Sequence, residues 1–316
     1  MTFRVPTMAE VAATPWNGLR AASLFAGCGG SSLGYRMAGF RIVFASDLDD
    51  HARRTYEANA APRTVIDGTD VRELTGERVA AAARADGGEL DVLDGSPPCQ
   101  GFSLANRQRR PDHPMNRLYY EFIRVVTEAQ PRVFVAENVP GLAGGQNVGH
   151  LRAILGRFKE AGYRVRRHVL DSSRLGVPQA RQRLIIIGFR RDLGVDPAEG
   201  FPRPSRRRTT LHDALPHVGH FGPAPTVTTG GIDARGGTFS VRENGATVRR
   251  ALTVDELARV CTFPEDFRMG GTAAQRRRRL GNSVPPLMAR AWAERVRDAL
   301  VIAADGSTDM AVAVTQ

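Results

Sequence analysis

Short apolar runs alternate with segments of helical period from residue 21 onward. Such runs predict buried strands, and their alternation with amphipathic helices predicts a parallel sheet covered by helices, so the fold class is α/β. The predicted strands span residues 21–25, 41–46, 90–94, 132–136, 163–170 and 184–189. The predicted helices span residues 49–60, 77–85, 118–129 and 150–161, and a last one begins at 285–286 and ends near residue 303.

The character of the chain changes after residue 189. Residues 190–250 are rich in Pro, Gly, Thr and Arg and contain only short β-like pieces, one of them at 226–229, before helical patterning returns at residue 251. We therefore expect a small irregular or β domain at 191–250, inserted into a large domain formed by 19–190 and 251–304. Residues 1–18 and 305–316 are expected to be tails.

A glycine-rich turn, FAGCGG at residues 25–30, follows the first predicted strand. Its glycines let the backbone turn tightly and approach a nucleotide-like cofactor, although plain turns of this kind occur in many α/β proteins. Asp47 directly follows the next predicted strand, about twenty residues after the glycines, where a carboxylate can accept hydrogen bonds from a ribose diol. Asp47 is equally well explained as a helix N-cap.

Cys99 lies in the segment GSPPCQGFS, directly after the strand predicted at 90–94. The carboxyl edge of a parallel sheet is where ligands bind, which makes this an active-site position. The two preceding prolines fix the backbone, and a thiol needs such help because only a few per cent of an ordinary cysteine is thiolate near neutral pH. The alternative is a small buried hydrophobic residue.

Glu137 ends the strand predicted at 132–136, and Arg181 and Arg183 introduce the strand predicted at 184–189. Three strand ends thus bring a thiol, a carboxyl group and two guanidinium groups to one edge, which is enough for a nucleophile, a proton donor and groups that orient a substrate carbonyl. Taken singly, Glu137 is better explained as a helix cap or as the partner of a surface arginine, and each arginine as part of a solvated edge; it is their combination that favours an active site.

The net charge of +11 and the pI near 10.7 come mainly from arginine, which favours a polyanionic partner, although a biased genome also explains an arginine-rich surface. The three cysteines, Cys28, Cys99 and Cys261, are far apart and form no CxxC pair, so we expect neither a disulfide framework nor a metal site. No apolar stretch approaches the length of a bilayer span, so a soluble cytoplasmic protein is expected.

Six segments together carry a family resemblance. They are SLFAGCGGSSLGYRMAGF, GSPPCQGFS, AENVPGL, VPQARQRLIIIG, RRALTVDELARVCTFPEDF and LGNSVPP, in this order along the chain. They resemble the cofactor, nucleophile, glutamate, arginine, structural-helix and last cofactor motifs of the DNA (cytosine-5)-methyltransferase family, of the bacterial or phage modification type. The match covers most of residues 21–192 and 250–290.

The resemblance implies a Rossmann-like domain with a mostly parallel sheet that binds S-adenosyl-L-methionine. It places Phe25 at the adenine, Asp47 at the ribose, Asp70 at the adenine amino group and Asn282 at the methionine end. The full implied cofactor set is Phe25, Ala26, Gly27, Gly29, Gly30, Asp47, Leu48, Asp70, Val71, Asn282 and Ser283. Leu48 departs from the family, which often has a larger side chain there to cover the adenine.

The resemblance also implies that Cys99 adds to C6 of a cytosine turned out of double-stranded DNA, with Glu137 at N3, Arg183 at O2 and Arg181 in support. Residues 104–117 resemble a mobile loop that closes over DNA, and 191–250 the target-recognition domain. The implied DNA contacts are Gln100, Ser103, Arg107, Arg109, Arg110 and Arg235. The expected protein is a monomer at the nucleoid, with a restriction endonuclease encoded nearby as a further expected partner.

Two alternatives remain at this stage. An RNA cytosine-5 methyltransferase acting on tRNA would use the same catalytic residues, but that branch carries a Cys-Phe-Thr signature, whereas this chain has Cys261-Thr262-Phe263. A non-catalytic module that binds DNA would lack the thiol or the carboxyl group, and both are present.

Overall fold

The computed structural model describes residues 3–98, 117–232 and 237–313; of residues 146 and 305–313 it describes the backbone alone. Among these residues, seven strands form one sheet of order β3-β2-β1-β4-β5-β7-β6. Its strands are β1 (Arg20–Leu24), β2 (Arg41–Ser46), β3 (Val65–Asp67), β4 (Val92–Gly95), β5 (Val133–Asn138), β6 (Tyr163–Asp171) and β7 (Gln182–Arg190).

Two small hairpins follow the sheet along the chain: β8 (Val227–Thr228) with β9 (Gly231–Ile232), and β10 (Thr238–Glu243) with β11 (Ala246–Ala251). The helices are α1 (Met8–Ala12), α2 (Gly30–Met37), α3 (Asp50–Glu57), α4 (Gly76–Ala85), α5 (Leu118–Ala129), α6 (Val148–Glu160), α7 (Leu211–Ala214), α8 (Val254–Val260), α9 (Ala273–Asn282) and α10 (Pro286–Ala313). In this part of the chain no helix is both long and apolar enough to cross a membrane.

Helices cover both faces of the sheet, as the α/β prediction requires. One face packs on α4, α5 and α6, where Phe122 and Phe158 are fully buried. The other face packs on α2 and α10. On that side the fully buried Trp292 of α10 donates its indole N–H to the Tyr35 hydroxyl of α2 (3.2 Å), so the last helix anchors the helix that follows the glycine-rich turn.

The six predicted strands all occur, but the sheet is mixed. Strand β7 is antiparallel to both β5 and β6, whereas the strands from β3 to β5 are parallel. Only residues 172–181 connect β6 to β7. A parallel return needs a crossover of a dozen or more residues, so this short connection forces β7 to run back beside β6.

Several elements are not predicted by the apolar pattern, among them β3 and α2 of the sheet domain. Strand β3 has three residues and its Val65 is exposed, so it lacks the apolar run that signals a strand. Helix α2 begins Gly30-Ser31-Ser32, residues that are typical of turns rather than helices.

A third apolar cluster joins the small hairpins to the sheet domain. Phe239 and Val241 of β10 pack with Leu257 of α8 and with Leu33 and Met37 of α2. The region after β7 therefore rests against the helix that carries the glycine-rich turn. The domain boundaries at residues 190 and 251 stay a prediction.

Candidate active site

A cleft of about 1050 Å³ opens at the carboxyl ends of the parallel strands. Its walls come from the turn after β1, the ends of β2, β4 and β5, the start of β7 and the end of α9. Carboxyl ends of parallel strands are the expected ligand-binding edge of such a sheet. The predicted positions therefore converge because the topology brings distant strand ends to one rim.

The glycine-rich turn lines one end of this cleft. Gly29 has φ +94° and Phe25 has φ +54°, and both values lie in the left-handed region that side chains disfavour. The Asp47 carboxylate holds the turn, since it accepts the amide N–H of Gly27 (2.8 Å) and, with its other oxygen, that of Asp49 (2.8 Å). Burial raises the pKa of Asp47, against the lowering effect of these two amides.

Asp70 and Leu48 lie at the same end. The carboxylate of Asp70 accepts three hydrogen bonds from Arg72, and these hold the pKa of Asp70 below its usual range. Val71 is buried beside it, whereas Leu48 is 64% exposed at the rim. An exposed leucine at this position leaves an apolar surface for a flat ligand.

The end of α9 forms the adjoining wall. Gly281 has no room for a side chain, because a Cβ there would lie 2.2 Å from the carbonyl carbon of Thr228 in β8. Asn282 is exposed to the cleft, while the Ser283 hydroxyl donates to the Leu280 carbonyl (2.9 Å) and so terminates the helix.

Glu137 and Arg183 form an ion pair at the opposite end. Arg183 Nε lies 2.7 Å from Glu137 Oε1, and both side chains are largely buried, 14% and 11% exposed. They come from β5 and β7, which run antiparallel side by side. The pairing holds the carboxyl group against the cleft wall.

Arg181 is buried, 3% exposed, and its guanidinium joins two other elements. Nη1 donates to the Val227 carbonyl of β8 (3.1 Å) and Nη2 to the Gly281 carbonyl of α9 (3.2 Å). Burial lowers the pKa of Arg181 to about 10, so it remains a cation at neutral pH. Arg181 therefore fixes β8 and α9 to this rim of the sheet, a role that sequence alone does not suggest.

Strand β4 leads toward the predicted nucleophile. The Asn138 amide donates to the Pro97 carbonyl (3.3 Å), which ties the end of β5 to the segment entering Cys99. Cys99 itself lies outside the described residues, as do the predicted DNA contacts Gln100, Ser103, Arg107, Arg109, Arg110 and Arg235.

The other two cysteines are buried in the core. Burial raises the pKa of Cys28 to about 12 and that of Cys261 to about 11, so both stay protonated thiols at neutral pH. Neither is activated for nucleophilic attack.

Comparison with known proteins gives this geometry a family. A family model described as C-5 cytosine-specific DNA methylase matches residues 19–220 and 223–298. The chain belongs to this family. It is thus a DNA (cytosine-5)-methyltransferase, as the six motifs predicted.

Two curated relatives agree with this assignment. The chain is 34% identical to the Type II methyltransferase M1.HphI of Haemophilus parahaemolyticus, over 86% of this chain and 85% of the relative. It is 30% identical to the Type II methyltransferase M.XorII of Xanthomonas oryzae pv. oryzae, over 88% of this chain and 84% of the relative. These matches favour a DNA methyltransferase over the alternative of an RNA methyltransferase.

The fold is also similar to solved structures. The crystal structure of a DNA modification methyltransferase encoded within an Escherichia coli prophage superposes with a TM-score of 0.72 at 24% identity, over 90% of this chain and 100% of that chain. A structure of Spodoptera frugiperda DNMT2 gives a TM-score of 0.68 at 18% identity, over 88% and 99% of the two chains. At these identities the likeness concerns the fold, which is the methyltransferase fold that the motifs predicted.

Sequence reasoning missed several residues around the methylase cleft. Asp94 is fully buried in β4, where the Ser23 hydroxyl donates to its Oδ2 (3.2 Å) and Ser31 adjoins the same carboxyl. Arg278 and Arg279 of α9 line the cleft, and so does Arg72. The four consecutive arginines 276–279 were a visible signal, whereas a lone aspartate inside a strand gives none.

Proposed function

We propose that this methylase transfers a methyl group from S-adenosylmethionine to C5 of a cytosine flipped out of double-stranded DNA, through a covalent bond between Cys99 and C6. The observation that carries the proposal is the buried Glu137–Arg183 pair, which faces the same cleft as Pro97 and Pro98, the residues that lead into Cys99. Glu137, Arg181 and Arg183 are accordingly assigned with Cys99 to the catalytic centre.

One end of the cleft is lined by Asp47, Asp49 and Asp70, and this acidic end fits the methyl donor. Each Asp47 oxygen accepts one amide N–H, which leaves acceptor capacity for a ribose diol. Phe25, Leu48 and Val71 offer apolar surface for a purine, and Asn282 and Ser283 end the wall beside it. We assign these residues, with Ala26, Gly27, Gly29, Gly30 and Asp70, to cofactor binding. When bound there, S-adenosylmethionine supplies an electrophilic methyl group on a sulfonium centre.

The other end is lined by Arg181 and Arg183, and this basic end fits the chemistry of cytosine, whose C5 is a poor nucleophile. Addition of the Cys99 thiolate to C6 pushes the ring electrons toward C5 and N3. When its ion pair with Arg183 opens and it takes up a proton from solvent, Glu137 stabilises N3 by donating that proton or a hydrogen bond, and the freed Arg183 donates to O2. After C5 gains the methyl group it loses its proton to a base, a role for which water suffices, and the electron pair released expels the Cys99 thiolate.

Extrusion of the base is required because C5 and C6 are stacked inside a duplex. We propose that residues 104–117 close over the DNA, with Gln100, Ser103, Arg107, Arg109 and Arg110 in contact with it. We propose residues 191–250 as the recognition domain, beside a catalytic domain of 19–190 with 251–304.

The arginines of the proposed recognition domain differ in whether they form ion pairs with acidic side chains. Arg207, Arg208 and Arg250 are paired with acidic side chains, Arg250 with both Glu243 and Glu256. Between described residues, no ion pair involves Arg203, Arg206, Arg242 or Arg249, whose charge is thus available to phosphates. With Arg235, these are the proposed DNA contacts of the domain.

The Type II names of the relatives favour a modification methylase that protects DNA from a matching endonuclease. We expect it to act as a monomer on the chromosome, in the cytoplasm. Bisulfite sequencing of DNA from a methylation-free host that expresses the chain identifies the base and the target sequence together. Conversion that leaves no protected cytosine would contradict the proposal.

DNA with 5-fluorocytosine at the target tests the covalent step. Methyl transfer to such a base leaves no proton to remove from C5, so enzyme and DNA should remain joined through denaturing electrophoresis. Cys99→Ser should abolish the adduct, because a hydroxyl is far less ionised than a thiol. Cys261→Ala is the matched control and should retain it. Methylation without an adduct, or a Cys99→Ser variant with full turnover, would overturn the mechanism.

A further inference from the structure

We propose that Arg72 is a positioning residue that fixes the Asp70 carboxylate for the 6-amino group of the cofactor's adenine and thereby selects against a 6-oxo purine. The inference rests on the proposed function of the acidic end of the cleft and adds to it a residue that sets purine specificity.

Asp70 and Arg72 form a bidentate ion pair that a backbone hydrogen bond reinforces. The Arg72 backbone N–H and its Nε both donate to Asp70 Oδ1 (3.0 Å each), and Nη2 donates to Oδ2 (2.5 Å). A bidentate guanidinium–carboxylate pair fixes the orientation of the carboxylate plane as well as its charge. The backbone contact adds a third restraint, so Asp70 has little freedom to rotate.

Counting acceptor sites shows what this arrangement leaves free. A carboxylate offers about four acceptor positions. Arg72 fills two on Oδ1 and one on Oδ2, and the described residues supply no further donor to Asp70. One acceptor position on Oδ2 is therefore available, which suits a single N–H of an amino group.

The charge of the pair explains why the match is selective. Because Arg72 hydrogen-bonds to Asp70 and lowers its pKa, the carboxyl group stays ionised and can only accept hydrogen bonds. A 6-amino group donates to it, whereas a 6-oxo group presents a second acceptor and is repelled. The Asp70 side chain is 18% exposed, and a 6-oxo group placed against it would displace water and leave two acceptors facing each other.

The acids around Arg72 keep its guanidinium at this end of the cleft. Glu73 and Glu121 are the other acidic side chains that act on it, and Glu121 lines the same cleft from α5. Arg72 itself is 68% exposed, so the ion pair alone adds little to stability. Its effect should therefore appear in ligand selectivity more than in folding.

The test compares two ligands that differ at the 6-position. Calorimetry measures the affinity of wild-type enzyme and variants for S-adenosylhomocysteine and for S-inosylhomocysteine, which carries a 6-oxo group. Wild-type enzyme should prefer the adenosyl ligand. Arg72→Ala should weaken adenosyl binding by about 3- to 10-fold, while inosyl binding changes little, so the selectivity ratio falls by the same factor. Arg72→Lys, which keeps the charge and loses the fork, should lie between.

Matched variants separate the outcomes. Arg54→Ala removes a similarly exposed arginine, 71%, that pairs with Asp50 outside the cleft, and should leave the ratio unchanged. Asp70→Asn, whose amide can donate, should shift the preference toward the inosyl ligand. Equal losses for both ligands in Arg72→Ala would overturn the positioning role. Wild-type enzyme that binds neither ligand, or Asp47→Ala with unchanged affinity, would instead overturn the cofactor assignment.

Discussion

Asp47 and Glu137 lie at opposite ends of the cleft and are held in different ways. At one end, Asp47 is fixed by backbone amides of the glycine-rich turn and of the start of α3. At the other, Glu137 is held by a side chain, the guanidinium of Arg183. Backbone amides are rigid parts of the fold, whereas a side-chain partner can exchange. Asp47 is therefore fixed by the fold itself, whereas Glu137 is able to change partners if Arg183 moves.

The ends also differ in charge. Asp47, Asp49 and Asp70 lie with Arg72 at the first, where β2 and β3 end, whereas Arg181 and Arg183 lie with Glu137 at the second, where β5 ends and β7 begins. An acidic lining suits a cationic methyl donor and its ribose, and a basic lining suits a polyanion. The cleft therefore has an acidic end and a basic end, and the proposed division of roles between them can be tested one end at a time.

Glu137→Gln should have the largest effect. An amide cannot deliver a proton to N3, so turnover should fall by about 10²- to 10⁴-fold. The affinity for S-adenosylhomocysteine should remain, because Asp47 and Asp70 are unchanged. Single-turnover methylation and calorimetry measure the two quantities. Glu121→Gln, at the other end of the cleft, is the control and should keep most of the turnover; a comparable loss there would erase the proposed division.

Asp94 should make stability depend on pH. Burial raises the pKa of its carboxyl to about 7, so the folded protein holds a proton that the unfolded chain releases near its usual value of 3.8. Stability should therefore fall as the pH rises from about 4 to 7 and level off above, by a total on the order of 2–4 kcal/mol. Denaturant unfolding of wild-type protein and Asp94→Asn across this range checks it. An equal slope in both proteins would assign the dependence to other groups.

Asp47→Ala should weaken S-adenosylhomocysteine binding by about 10- to 100-fold, since it removes the proposed ribose acceptor and frees Gly27. Binding of DNA without cofactor should be retained, because Asp47 lies at the opposite end of the cleft from Arg181 and Arg183. Calorimetry with the cofactor product and fluorescence anisotropy with duplex DNA measure these separately. Parallel loss of both affinities would mean that the two ends form one unit.

Arg278→Ala should have the smallest effect. Arg278 is exposed, lies one helical turn before Asn282 on α9, and makes no ion pair with any described residue. If it contacts a phosphate, its loss should lower DNA affinity by about 3- to 10-fold for every sequence and reduce the salt slope by about 1. Anisotropy titrations at several salt concentrations measure both. Arg54→Ala is again the control, and an unchanged slope in Arg278→Ala would remove α9 from the DNA surface.

Much of the fold was predictable because its signals are local. The strand at 41–46 and the helix at 118–129 have the predicted bounds. Buried strands and amphipathic helices produce a characteristic spacing of apolar residues that can be recognised in the sequence. The turn after β1 and the clustering of Glu137 with Arg183 followed from strand ends meeting at one edge. Strand β3 and helix α2 were missed because their residues carry a weak or contrary local preference.

The sequence by itself determined the α/β class, the methyltransferase family and the set of residues at the rim of the sheet. The tertiary structure alone decided that β7 runs antiparallel, that Asp94 is a buried carboxyl, and that Arg181 joins β8 to α9. The partners of Arg181 lie 46 and 100 residues away along the chain. The spacing of apolar residues depends only on residues close together in the sequence. The partner of a buried charge depends on which distant segment of backbone the fold brings beside it.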